Sequence, residues 1–394
     1  MSSAQQPVAV IGGGVVGCAV AHALARRGVG AVVLEAEPGL ALAASGANSG
    51  ILHTGFDATP GALETRLILR SAALREELLD ELGVPVWRCG AHLAPVGGDD
   101  ERAVILRLAD NARANGVEAR LQPDGSLTVP AEAVTDPVAF VHALAGAAQA
   151  GGAEVRLSAR VSGLAAGADG GLAIELHSGE RLHAHAAVNC AGLFADELAR
   201  LAGEDPVTVY PRKGEFLVFQ APPGAALERI MLPVPSTLGK GVLVFPTIDH
   251  LLIAGPTARE RHDKRDWSVE ADAAELIVAP ASRMYPPLGR ASRIGAYAGL
   301  RPAGRDAAGR EASYVIEMSG TLPGLLHVAA IRSTGLSASL GIGEYAVDLL
   351  AGRGVIEPDP PRPLPAPAPR TPAHPWWERT ARYHGASAFA RDVR

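Results

Sequence analysis

Three glycines behind a short apolar run are the first residues whose spacing implies chemistry. Gly12, Gly14 and Gly17 stand in GGGVVG, after PVAVI and at the mouth of VVGCAVAHALARR, so strand, turn and helix follow one another. In that setting the first glycine permits the tight turn, the second lets the backbone approach a pyrophosphate, and the third lets helix pack on strand. The helix N-terminus adds N–H donors and positive dipole. Glu35 ends the next strand, AVVLE, about 20 residues on. A carboxylate there can accept both hydroxyls of an adenosine ribose and would repel a 2′-phosphate, which disfavours NADP. The motif alone does not separate FAD from NAD.

The segment after Glu35, AEPGLALAASGANSGILHTGFDATPGALETRL, is rich in small residues and carries one histidine. Ser45, Asn48 and Ser49 offer hydroxyl and amide groups of the kind that bind phosphate oxygens or ring edges without adding charge, or that merely build a polar loop. His53 is the leading catalytic candidate. Hydride abstraction from a carbinol needs a nearby base for the hydroxyl proton, and imidazole suits that task, although a lone histidine can also be structural.

The elements that must position these residues open as a βαβ unit. Helical spacing then covers 63–82, 102–115 and 137–150, and strands are expected at 153–157, 172–176, 186–190, 215–219, 242–245 and 251–254. A second strand, glycine turn and helix, LLHVAA followed by SASLGIGEYAVDLL, lies far from the first. The nucleotide domain is therefore expected to be discontinuous. Beyond Gly354 the chain is proline-rich and reads as an extended tail, in which Trp376 and Trp377 would dock on the body or on a partner, or hang free.

Composition narrows the class. With 48% hydrophobic and 20% charged residues and a net charge of −6, the chain is neither disordered nor a nucleic-acid binder. Cys18, Cys89 and Cys190 show no CxxC spacing, so a disulfide scaffold, zinc site or iron–sulfur cluster is not expected. The cluster His177, His183 and His185 reads better as alternation in a β-ribbon than as a metal site. Glycines interrupt the apolar stretch from Val8 to Ala25, which excludes a membrane span there, and no signal peptide is apparent. A cytoplasmic protein, with a peripheral membrane position left open, is expected.

The loop SGANSGILHTGFDATPG resembles the D-amino-acid-oxidase-like FAD superfamily, in the branch of L-2-hydroxyglutarate oxidases and anaerobic-type glycerol-3-phosphate dehydrogenases. The resemblance continues through VNCAGLFADELARLAG, YPRKGEFLVF, MLPVPSTLGKGVLVFPT, YAGLRPA and VAAIRSTGLSASLGIGEYAVDLL, over roughly residues 7–351. It implies an α/β fold with an α+β part: a Rossmann-like FAD-binding domain (1–85, 135–205, 320–354), an inserted strand-rich substrate domain (86–134, 206–319) and a tail (355–394). It also implies noncovalent FAD. Val161 would lend its backbone to the adenine, and Ala191 and Gly192 would form a turn beside the adenosine and phosphates. Gly335, Leu336 and Ser337 would set a helix N-terminus at the flavin's pyrimidine edge, unless Ser337 is only an N-cap. Lys213, Arg301 and Arg332 would meet an acidic substrate, Arg being the better fork for a carboxylate or phosphate.

The resemblance implies oxidation of an anionic secondary alcohol, a 2-hydroxy acid or glycerol-3-phosphate, by hydride transfer to flavin N5. Oxygen, a quinone or a redox partner protein would take the electrons. An amine or amino-acid oxidase of the same superfamily and a non-catalytic FAD-binding subunit are the alternatives. Some relatives carry a C-terminal cysteine-rich iron–sulfur domain, and here a proline-rich tail stands in that position.

Overall fold

A computed structural model describes residues 6–95, 99–168, 170–235, 241–367 and 374–385. Parts of two expectations, residues 236–240 of the MLPVPSTLGKGVLVFPT motif and the tail segments 368–373 and 386–394, lie outside the described residues.

The apolar strands next to the glycine turns form a six-stranded sheet ordered Val315–Met318, Leu325–Ala329, Ala186–Asn189, Val8–Ile11, Ala31–Leu34, Glu154–Arg156. All neighbours are parallel except the first pair. Near-continuous apolar strands belong in such a sheet because both faces are covered. Alternation decides which residue faces which layer. Val8, Val10 and Val33 pack under the helices Val15–Arg26 and Gly335–Gly352, whereas Ala9, Ile11 and Leu34 pack on the antiparallel ribbon formed by Val161–Ala166, Leu172–Leu176 and Arg181–Ala184. The helices cross at small residues. A Cβ on Gly343 would stand 2.6 Å from the carbonyl oxygen of Ala19, so glycine is what lets the two approach.

The strand-rich middle of the chain builds a ten-stranded sheet around one long antiparallel pair, Thr208–Gln220 against Ser292–Arg305. Only 215–219 of the first was expected as strand, and the second was not foreseen. The helix Ala273–Met284, which contains Pro280, packs behind this sheet and was also unforeseen. Residues 315–318, assigned to the inserted unit from sequence, join the nucleotide sheet instead.

Of the alternatives for the tail, the structure shows docking on the body. Residues 355–367 have no helix or strand but lie against the body, where Asp359 and Arg362 donate backbone bonds to the carbonyls of Arg27 and Arg26. The segment Trp376–Tyr383 is a helix with both tryptophans buried. Trp376 meets Tyr297 edge-on, and Trp377 fills the space over Gly295, so the tail docks on the long strand pair. His183 lies on the ribbon and His185 bonds the carbonyl of Val355. Among the described residues no group of three metal-ligating side chains exists, and no helix is long and apolar enough to cross a membrane.

Candidate functional site

The glycine turn opens on a cavity of about 370 Å³. Gly12 sits at φ +115° with the space for a side chain taken by the carbonyl of Cys190, and a Cβ on Gly17 would collide with the carbonyl of Gly12. Gly14 caps the helix Val15–Arg26 without offering a side chain, and Ser45 Oγ accepts the Val15 N–H at 2.9 Å. Backbone thus lines the wall where an anion would approach the helix dipole. Glu35 lines the same cavity, and its carboxylate accepts N–H bonds from Gly13 (2.5 Å) and Glu37 (2.8 Å). Burial pushes its carboxyl up, against the pull of those backbone donors. Val161, Ala191, Gly192, Gly335 and Leu336 also line this cavity.

A second cavity, of about 870 Å³, continues from the first, with Ala44, Asn48 and Arg332 on the walls of both. The two adjoining cavities, the glycine turn that no Cβ could share and the Glu35 carboxylate just after the strand Ala31–Leu34 together fit a dinucleotide. Asn48 Oδ1 accepts the Gly50 N–H at 2.9 Å and Ser49 Oγ accepts that of Ile51, so both side chains also serve their own loop. Ser337 departs from its expected place. It is neither the helix N-cap, which is Thr334, nor on the wall of either of these two cavities. Its hydroxyl accepts the backbone N–H of His53 at 2.8 Å and points to the carbonyl of Ile51, fastening the loop to the helix.

His53 lines the second cavity, with Nδ1 2.9 Å from Oε2 of the fully buried Glu132. The other carboxylate oxygen accepts from Thr54 N–H (2.6 Å) and Thr54 Oγ–H (2.8 Å). Arg75 donates to the carbonyl of His53 at 2.8 Å. Sequence reading missed Glu132, which stands nearly 80 residues away in PAEAV with no motif around it.

The wall of this cavity also carries four arginines, Arg212, Arg259, Arg301 and Arg332. Arg212 and Arg301 are direct cross-strand partners on the long pair and both line the cavity with Arg332. Arg301 donates to the carbonyls of Arg212, Lys213 and Thr257, which aims its guanidinium. Burial, and then the nearby Arg212 and Arg332 charges, lower its pKa to about 10. Among the described residues the nearest acid to both Arg212 and Arg332 is Glu311, at 4.0 Å in each case. Like charges set opposite each other cost stability unless an anion joins them. Arg332 also holds φ +55°, a strained backbone for a residue with a Cβ, next to the helix that begins at Gly335.

Lys213 is a correction. Its side chain is 0% exposed and does not reach the cavity; it pairs with Asp266 at 2.9 Å, Ser268 at 3.0 Å and Glu270 at 3.6 Å. The reason is strand parity. Arg212, Gly214 and Phe216 face the cavity, so Lys213 and Glu215 face the other side. The cation on the cavity wall is its neighbour, Arg212.

Comparison with known proteins agrees with this geometry. The model of the FAD dependent oxidoreductase family matches residues 7–349. The chain is 31% identical over 359 residues to glycerol 3-phosphate dehydrogenase of Caloramator mitchellensis, covering 87% of this chain and 73% of that protein. It is 28% identical over 291 residues to L-2-hydroxyglutarate dehydrogenase of Escherichia coli, covering 68% of each. Among solved structures, L-alpha-glycerophosphate oxidase of Mycoplasma pneumoniae with FAD bound superposes with a TM-score of 0.82 at 26% identity, over 93% of this chain and 99% of that one. With the family model matched over nearly the whole chain and a relative 31% identical over most of its length, the chain belongs to the FAD-dependent oxidoreductases.

Proposed function

We propose that this protein oxidises a small anionic secondary alcohol, a glycerol phosphate or a 2-hydroxy acid, to the corresponding ketone, with FAD held noncovalently. One observation carries the reading: His53 and the arginines 212, 301 and 332 share a cavity continuous with the nucleotide cleft. Two of the relatives named above act, by their names, on glycerol 3-phosphate and on L-2-hydroxyglutarate, both anionic alcohols.

Arg301, with Arg212 beside it, forks the phosphate or carboxylate and holds the carbinol carbon in place. His53 takes the hydroxyl proton on Nε2, the O–H electron pair becomes the second C–O bond, and the carbon-bound hydrogen departs with its two electrons. Bound flavin supplies the hydride acceptor, at N5. The electrons then pass to oxygen, a quinone or a redox partner protein. Residues 1–85, 135–205 and 315–354 form the nucleotide unit, and 86–134 and 206–314 the substrate unit, the boundary moved to follow the strand at 315–318.

An amine or amino-acid substrate is not favoured, because an ammonium group would enter a cavity with four arginines, Arg212, Arg259, Arg301 and Arg332, on its wall. Anaerobic titration of the purified yellow protein with glycerol 3-phosphate, 2-hydroxy dicarboxylates, neutral alcohols of the same size and amino acids decides the matter. Bleaching of the flavin is expected with the anionic alcohols only. Bleaching by amino acids, or by neutral alcohols equally well, would overturn the assignment.

A further inference from the structure

We propose that Glu132 is a positioning residue that holds His53 as the Nδ1–H tautomer and so leaves Nε2 unprotonated toward the substrate cavity. The inference rests on His53 being the general base of the proposed reaction. Every polar neighbour of the Glu132 carboxylate is a donor or can be one: Thr54 N–H and Thr54 Oγ–H at Oε1, and the imidazole Nδ1 at Oε2. An ionised carboxylate can only accept, so Nδ1 must donate, and the free lone pair of the ring falls on Nε2. When Nε2 takes a proton from the substrate hydroxyl, the imidazolium stands 2.9 Å from a carboxylate already fixed by two other bonds. No reorganisation is then needed.

The surroundings make this arrangement costly unless it is used. Glu132 is wholly buried, and a buried carboxylate is expensive without donors and a compensating charge. Arg75, also buried, supplies that charge and ties down the main chain of His53 through its carbonyl. The remaining ionisable groups around the ring are Cys89 near Glu132, Asp57 on the same loop, and Arg212, Arg259, Arg301 and Arg332 on the cavity wall. Glu132 is the one acid among the described residues in hydrogen-bond contact with the ring. The backbone of His53 is pinned separately by Ser337, so ring orientation and chain position are set by different partners.

Glu132→Gln separates positioning from support. The amide oxygen can keep the Thr54 bonds, but the amide NH₂ would face Nδ1 and can only donate, which forces Nδ1 to accept and moves the proton to Nε2. In FAD-loaded protein without substrate, long-range ¹H–¹⁵N NMR reads the tautomer directly, with His53 assigned by its loss in His53→Gln. The wild type is expected to show Nδ1–H and Glu132→Gln to show Nε2–H. Anaerobic flavin reduction should slow on the order of a hundredfold or more with KM for the anion nearly unchanged, and the acid limb of its pH profile should move to lower pH as the imidazolium loses its carboxylate. Glu132→Asp keeps the charge and should keep both the tautomer and the acid limb.

A wild-type His53 found as Nε2–H overturns the proposal whether or not any variant folds. So does a Glu132→Gln protein whose tautomer and acid limb stay where they were. Failure of the base itself reads differently: normal reduction in His53→Gln would remove the mechanism and leave the tautomer measurement intact.

Discussion

At the nucleotide end of the long cavity the wall combines glycine backbone and a helix N-terminus with small and apolar side chains and the carboxylates of Glu35, Glu37 and Glu197. At the substrate end the polar side chains come from far apart: His53 from the loop after the first βαβ unit, Glu132 behind it, Arg212 and Arg301 from paired strands, Arg332 from the turn before the last helix of the nucleotide unit. A backbone site tolerates sequence change except where a Cβ would intrude. A side-chain site depends on each residue separately. Binding of the nucleotide and choice of substrate are therefore expected to fail by different mutations.

The largest effect should fall on the substrate end. His53→Ala should slow anaerobic flavin reduction by about 10²–10⁴-fold while FAD content stays at wild-type level. Stopped-flow traces at saturating substrate check this, and a loss of FAD with the activity would blur the two ends into one.

Next, Arg301→Ala should cost about 2–5 kcal/mol, seen mainly as a raised KM, with Lys rescuing only in part because a point charge cannot reproduce the fork. The ratio of kcat/KM for an anionic alcohol to that for a neutral analogue should collapse in the variant. An unchanged ratio would mean that Arg301 supports the sheet through its three carbonyl bonds and does not read the anion.

At the nucleotide end, Glu35→Ala should weaken FAD by about 1–3 kcal/mol, the scale of lost hydrogen bonds to a carboxylate, and leave the substrate preference of the loaded enzyme alone. Equilibrium dialysis of the flavin and the substrate panel together test both halves.

The smallest catalytic effect should come from Lys213→Met, which keeps kcat and KM and instead lowers stability, by about 1–3 kcal/mol, because its partners Asp266 and Glu270 lose a buried cation. Burial alone would push the Asp266 carboxyl up, but bonds from Ser268 and Lys213 outweigh it and hold the carboxyl below its ordinary value. The sign follows: this contribution is present above the ordinary carboxylate pKa and fades as pH falls through the lowered one. Chemical denaturation at neutral and at strongly acidic pH should show the variant and wild type converging on the acid side. A changed KM would return Lys213 to the site.

The same contrast explains what could be read in the sequence. Gly12, Gly14, Gly17 and Glu35 lie within one βαβ unit, so local spacing carried their structure. Glu132 meets His53 only through tertiary packing, and nothing in PAEAV marks it. Arg212 was within reach: in RKG on a strand, neighbouring residues must face opposite ways, and the paired strand at Ser292–Arg305 decides which one sees the cavity. That strand escaped notice because GAYAGLRPAG carries three glycines and a proline, poor strand signals that the long partner overrides. For the tail, composition left docking and a free end both open, and the two tryptophans packed against Tyr297 and Gly295 decide between them.

The six-stranded sheet has a consequence for how the protein is made. Its central strand, Val8–Ile11, is synthesised first, yet one of its two neighbours arrives at Ala186–Asn189, and the strand beyond that at Leu325–Ala329. Pairings that close loops of this length are entropically slow, and an N-terminal stretch awaiting them leaves apolar edges exposed. No single cut releases the nucleotide sheet whole. Chains interrupted before about residue 330 lack an inner strand and the helix Gly335–Gly352 that covers one face, and belong to the chaperone and protease pool rather than to the pool of folded enzyme.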